Sequence, residues 1–269
     1  MSEKQTFHDR VSVERQDDGV AQVRLMRPDK MNALDPAMFD GIIAAGEHLC
    51  EAKGVRAVVL SGEGRSFCAG IDITTFGDAG KNEGQPIIAR THRNANKFQE
   101  VAMVWRRVPA PVIAAIHGVC FGGGMQIASG ADIRIAHPQS RMAIMEMKWG
   151  LVPDMGGYAL WRGLVRDDVL RELVYTNREF SGEEAVGLGL ATRCADDPLA
   201  EANALAAEIA SRNPQAIRGA KRLANAMQDD DTDALLLAES EEQSAIIRQP
   251  NQVEAVMAGM QKRAPVFSD

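Results

Sequence analysis

The chain has 269 residues, 45% hydrophobic and 25% charged, with a formal net charge of −7. That length supports one large domain, or a domain with an appendage, around a sizeable core. The acidic balance argues against a general nucleic-acid or anionic-membrane surface, and no apolar run approaches membrane-spanning length. The polar, charged N-terminus does not read as a signal peptide. Cys50, Cys68, Cys120 and Cys194 are widely spaced with no Cys-x-x-Cys pair, which predicts reduced thiols in a cytoplasmic protein and neither a disulfide frame nor a zinc site.

In chain order, Val11–Glu14 and Val20–Met26 flank Asp17-Asp18-Gly19 and predict a hairpin. Asp35-Pro36 supplies an N-cap and a first-turn proline, and Met38, Phe39, Ile42, Ile43 and Leu49 follow at helical spacing until Gly54. Ala57–Leu60 reads as a short buried strand, leading through Ser61–Ala69 into a polar, Gly-rich surface loop at Asp72–Gln85. A helix is expected from Ile87 to Val108, a strand at Pro111–Ile116, and further strands at Ile133–Ala136 and Met142–Met145. This alternation favours an α/β layer architecture. Ser181 and Glu184 form a capping-box pattern, and Leu190–Cys194 is a candidate edge strand. From Pro198 to Arg263 the chain is helix-forming, with breaks near Asn213-Pro214, Asp229–Asp233 and Gln249-Pro250.

The stretch Phe121-Gly122-Gly123-Gly124-Met125-Gln126 lies between the Pro111–Ile116 strand and a helical run ending at Gly130. Three glycines bare the backbone, and the first N–H groups of a helix have no intrahelical partner. With the helix dipole, such a site suits an anion, either bound ready-made or developing during a reaction. It is no P-loop, because no Gly-Lys-Ser/Thr follows. Neither Gly-x-Gly-x-x-Gly nor Gly-x-Ser-x-Gly occurs. His8, His48, His92, His117 and His137 show no metal-binding spacing. A second glycine turn, Phe67-Cys68-Ala69-Gly70-Ile71-Asp72, follows the Ala57–Leu60 strand. In a doubly wound layer both turns lie at carboxyl ends of strands, where ligands bind.

Together these motifs resemble those of the crotonase family, the enoyl-CoA hydratase/isomerase superfamily. Arg27–Leu34, Ser66–Asp72, His117–Gln126 and Glu146–Gly157 look like its four motifs, in order and at family-like spacing. The resemblance implies that the backbone N–H groups of Ile71 and Gly123 form an oxyanion hole for the thioester carbonyl of an acyl-CoA, so that the anion is a developing enolate. It also implies that Lys30, Met31, Ala69, Asp72 and Ile73 line the path of coenzyme A. The tail Lys262–Phe267 resembles family tails that close the nucleotide site of a neighbour, with Phe267 as the aromatic ring. Coenzyme A belongs to the substrate, and no separate cofactor or metal is implied.

Family hydratases resemble one another in carrying two glutamates, one on the helix after the glycine run and one 20 residues later. Here the first position is Gln126, and only Glu146 is retained. Gln126, one turn after the hole, is expected to line the pocket as a catalytic residue beside Glu146 and Asp154. An amide orients water but does not carry its proton, so the departure favours double-bond isomerisation over hydration. Asp154, eight residues after Glu146, matches the second acid of dienoyl-CoA isomerases, although those have an aspartate where Gln126 stands. The alternative role for Asp154 is to cap the helix that follows. A different class, a non-catalytic acyl-CoA-binding relative, is the other reading of Gln126. The implied fold is α/β, a crotonase-like spiral core of ββα units over 1–197 with a helical C-terminal trimerisation region over 198–269. The implied assembly is a homotrimer or a dimer of trimers.

Overall fold

The computed structural model describes residues 3–75, 86–212, 214–226 and 232–263. Most of the expected 72–85 loop and the tail residue Phe267 therefore lie outside the described residues. The elements run β1 (Glu3–Phe7), β2 (Val11–Arg15), β3 (Val20–Leu25), α1 (Pro36–Glu51) and β4 (Ala57–Gly62). Next come α2 (Lys97–Arg107), β5 (Val112–Ile116), β6 (Val119–Phe121), α3 (Gly123–Ser129), β7 (Ile133–Ala136) and β8 (Arg141–Ala143). Then follow α4 (Gly157–Trp161), α5 (Asp167–Thr176), β9 (Phe180–Ser181), α6 (Gly182–Gly187) and β10 (Arg193–Cys194). The helices α7 (Pro198–Ala210), α8 (Pro214–Ala226), α9 (Thr232–Ile246) and α10 (Pro250–Gln261) complete the chain.

One sheet has the order β1-β2-β3-β4-β5-β7-β10. Its first three strands are antiparallel, and from β3 onward every pairing is parallel, as helical crossovers require. Side chains alternate across it. Val58, Leu60, Val112, Ala114 and Ile116 face the main core with α1 and α2, while Ala57, Val59, Ile113, Ala115 and Ile135 face α7 through Ala202, Ala206 and Ala210. The expected boundary at 197/198 falls just before α7, whose N-cap Asp197 accepts from Ala200 N. Further on, α8 is tied down by Lys221, whose buried Nζ donates to Trp105 O, Ala110 O and Asp132 Oδ2.

Several elements differ from expectation. The helix expected from Ile87 starts instead at Lys97, because Asn96 and Gln99 form a reciprocal capping box and Arg93 sits in the left-handed region at φ 60°. The stretch Met142–Met145 yields strand only as far as Ala143. It belongs to a second, three-stranded sheet, order β6-β8-β9, that the periodicity does not announce. Of Leu190–Cys194 only Arg193–Cys194 pairs, parallel to β7. The hairpin is as expected, with Gly19 at φ 86° closing its turn. Asp35 caps α1 by accepting from Met38 N, and Ser181 caps α6 by accepting from Glu184 N.

Candidate active site

The two glycine turns meet. Phe67 N donates to His117 O, Cys68 N to Val119 O and Phe121 N to Cys68 O, at 2.9, 3.0 and 3.0 Å, a short parallel ladder between segments about 50 residues apart. Small residues are needed for this approach. A Cβ on Gly70, at φ 87°, would come 2.8 Å from Phe121 O, and one on Gly124 would come 2.6 Å from Cys68 O. The Arg27–Leu34 segment closes over the second turn. Asn32 Nδ2 donates to Glu63 O, Ser66 O and Phe67 O, and Ala69 N donates to Met31 O.

This packing aims two backbone donors. Leu34 N donates to Gly70 O and Asp72 N to Leu34 O, so in that parallel bridge the intervening Ile71 N–H points the other way. Gly123 is the first residue of α3, where an N–H has no intrahelical acceptor. Its N-cap Gly122 has φ 49° and ψ −115°, a backbone conformation essentially closed to other residues. The glycine at 123 has a further cause beyond substrate approach, since a Cβ there would strike Leu34 Cδ1 at 2.7 Å and Met155 Sδ at 2.8 Å.

Glu146 opens a 3₁₀ turn, Glu146–Trp149, directly after β8. Its Oε1 accepts from Gln126 Nε2 at 2.6 Å, and its Oε2 is buried with no hydrogen-bond partner among the described residues. Burial pushes the carboxyl up to about 7, against the opposing pull of the Gln126 bond and of the Glu146 and Met145 backbone N–H groups. A carboxyl poised near neutrality serves as both proton acceptor and donor.

A cavity of about 470 Å³, ordinary for a small-molecule site, collects the sequence-predicted residues. Lys30, Met31, Ala69, Asp72 and Ile73 line it together with Ile71, Gly123, Glu146 and Asp154. Asp72 is held by Arg27, with Nη1 to Oδ2 at 2.7 Å, and by Thr74. Burial raises its pKa, but those partners outweigh burial and leave it below the usual carboxylate range. Asp154 faces the cavity and is not the cap of α4, whose N-cap is Gly156 without a side-chain bond. Gln126 is placed differently. It is fully buried, is hydrogen-bonded to Glu146 and is not among the residues lining the cavity.

Other lining residues carry no motif signal. Phe39 and Phe98 meet edge to face at 5.4 Å, and with Ile87, Leu151 and Met155 they form an apolar wall. Gln243 on α9 and Ile247 just beyond it close one side. At the rim, Arg141 pairs with Glu179 through two 2.7 Å bonds and lies 5.6 Å from the Phe121 ring centroid. The apolar spacing of α1 announces Phe39 as core; only the assembled fold shows that it also borders a cavity, with Phe98 beside it.

The enoyl-CoA hydratase/isomerase family model matches residues 15–269. The chain belongs to the enoyl-CoA hydratase/isomerase family. It is 32% identical over 255 residues to the mitochondrial Delta(3,5)-Delta(2,4)-dienoyl-CoA isomerase of Mus musculus, covering 91% of this chain and 77% of that one. The peroxisomal Delta(3,5)-Delta(2,4)-dienoyl-CoA isomerase of Arabidopsis thaliana is 30% identical over 261 residues, covering 94% of each. Among solved structures, an enoyl-CoA hydratase from Mycobacterium avium subsp. paratuberculosis K-10 superposes with a TM-score of 0.83 at 27% identity, over 96% of this chain and 98% of that one. The mixed α/β architecture is thus that of the enoyl-CoA hydratase/isomerase family, and the resemblance of the four motifs holds. Among the described residues no helix is long and apolar enough to cross a membrane, and no cluster of three or more His, Cys, Asp or Glu is arranged to hold a metal ion.

Proposed function

We propose that this family member shifts double bonds in an unsaturated acyl-CoA, acting as an enoyl-CoA or dienoyl-CoA isomerase through a thioester enolate. The observation that carries the reading is the Glu146 carboxyl, buried beside Gly122–Gly123 with one oxygen unpartnered. In this reading the Ile71 and Gly123 N–H groups hold the thioester oxygen and stabilise the charge that develops there. Glu146 removes a proton from the carbon next to the carbonyl, and the electrons move onto the oxygen and along the conjugated chain. A proton then returns at the far carbon, from Glu146 itself for a 3-enoyl group or from Asp154 for a 3,5-dienoyl group. Nothing is added to the substrate or lost from it, so this balance calls for no further cofactor and no metal. Coenzyme A enters with the substrate, past Lys30, Met31, Ala69, Asp72 and Ile73, and the apolar wall of Phe39, Phe98 and Met155 suits the acyl chain. The relatives named as dienoyl-CoA isomerases support this choice over hydration. Purified protein is expected to convert 3-enoyl- or 3,5-dienoyl-CoA faster than it hydrates 2-enoyl-CoA. Efficient hydration with no isomerisation would overturn the reading.

The setting we infer is cytoplasmic, from the spaced free thiols. The assembly we infer is a homotrimer or a pair of trimers. Large apolar side chains stand exposed on the C-terminal helices, Leu223 on α8 and Val253, Met257 and Met260 along α10, and the latter three share one helical face. Sedimentation at micromolar concentration is expected to give a species three or six times the 29.1 kDa chain mass, and a monomer alone would count against it.

A further inference from the structure

Gln126 has both polar atoms of its amide hydrogen-bonded. Its Oε1 accepts from Met155 N and from Gly157 N, both at 2.9 Å, and its Nε2 donates to Glu146 Oε1 at 2.6 Å. The two main-chain donors set the amide's orientation, because turning it over would press an NH₂ against two N–H groups. The NH₂ therefore always faces Glu146. An NH₂ only donates, so Glu146 Oε1 must stay an acceptor, and the carbonyl-type oxygen of a protonated carboxyl is the better one. When Glu146 carries a proton, it carries it on Oε2, the buried oxygen without a partner. The same amide pins the turn that follows Asp154. Gly157 is part of that fit, since a Cβ there would come 2.7 Å from Gln126 Oε1.

We propose that Gln126 is a positioning residue, which reserves Oε1 of Glu146, leaves Oε2 as the one oxygen that moves a proton, and fixes the Asp154 turn relative to it. This deepens the isomerase reading and rests on it. With its amide held by Met155 N, Gly157 N and Glu146, Gln126 offers no carboxylate beside Glu146 to deprotonate a water. This pairing favours moving a proton along a substrate face over adding water. A carboxyl at 126 that keeps these three contacts is therefore not expected to raise hydration.

Two substitutions test this, each followed by the pH dependence of isomerisation and by ¹³C NMR titration of the Glu146 carboxyl, which needs no turnover. Gln126→Met removes all three bonds. We expect kcat to fall roughly 10²-fold through misplacement of the base. KM should move by no more than about threefold. The Glu146 titration should rise by about one pH unit on loss of a bond to its charged form. In Gln126→Glu the protonated new carboxyl reproduces the clamp, its O–H donating to Glu146 and its other oxygen accepting from Met155 and Gly157. Its activity should be retained through a middle pH range and lost once the shared proton leaves, as a coupled pair. The other charged groups facing the cavity, Asp154, Lys148, Arg141, Glu179, Lys30 and Asp72, are the same in parent and variants, so the difference reports Gln126. An unmoved Glu146 titration in folded Gln126→Met, or a gain in 2-enoyl-CoA hydration in Gln126→Glu, overturns the proposal. If the parent isomerises nothing, the functional reading fails, while the NMR titration still decides the clamp.

Discussion

Glu146→Gln is expected to lower isomerisation by about 10²–10⁴-fold, the usual contribution of a well-placed general acid–base group. It should also abolish exchange of α-deuterium from bound acyl-CoA into solvent. The substitution keeps the shape of the side chain and an oxygen able to accept from Gln126 Nε2, so binding should be nearly intact and the loss should fall on kcat. In the parent, kcat/KM should decline as pH falls through about 7, because only the ionised carboxylate takes a proton and burial holds the group protonated below that value. The sign for stability is opposite. The unfolded chain releases this proton near its ordinary value of 4.5 and the native chain near 7. The native state therefore binds more protons between those values, and this group's contribution to stability falls as pH rises across that window. Glu146→Gln removes that dependence, so at pH 8 the variant should be at least as stable as the parent. If it kept full activity and α-exchange, Glu146 would not be the base.

Gly70→Ala should be the most damaging single methyl group near the site. The added Cβ would sit 2.8 Å from Phe121 O on a backbone at φ 87°, so neither its own conformation nor its neighbour accommodates it without movement. What moves is the contact that sets Ile71 N–H against Gly123 N–H. A fall in kcat of about 10²–10³-fold is expected, comparable to losing one donor of an oxyanion hole. Chemical denaturation should also show a loss of about 1–3 kcal/mol from backbone strain. Full activity with normal stability would mean that the two turns tolerate separation and that their spacing does not matter for rate.

Much of the architecture is legible from local pattern. Asp35-Pro36, the apolar spacing of α1 and the β-branched runs of β4 and β5 each specify their element through nearby chemistry, and the glycine turns betray their close approach by being glycine. The same local logic fails where a distant partner decides. The strands β6, β8 and β9 have only three, three and two residues, and they are strands because they find one another across some sixty residues of chain. Ile87 looks like the start of a helix, yet Asn96 and Gln99 prefer to cap one another and hold the helix back to Lys97. At the site, Glu146 and Asp154 are suggested by the resemblance of their motif to the family's, and both line the cavity. The amide orientation of Gln126 is not legible in the sequence, because its acceptor atom is set by Met155 N and Gly157 N, 29 and 31 residues away.

Short of proline, no exchange of side chains at Ile71 or Gly123 deletes either proposed donor, because both are main-chain amides and the ladder that spaces them is main chain too. Otherwise it takes a group that wedges the two turns apart. The proposed acid–base groups and the residue proposed to position them stand on separate supports, Glu146 on its 3₁₀ turn, Asp154 in the loop before α4 and Gln126 on α3. None of the three supplies either amide. A lineage built on this frame can therefore change its proton chemistry by point substitution while the two proposed donors stay in place.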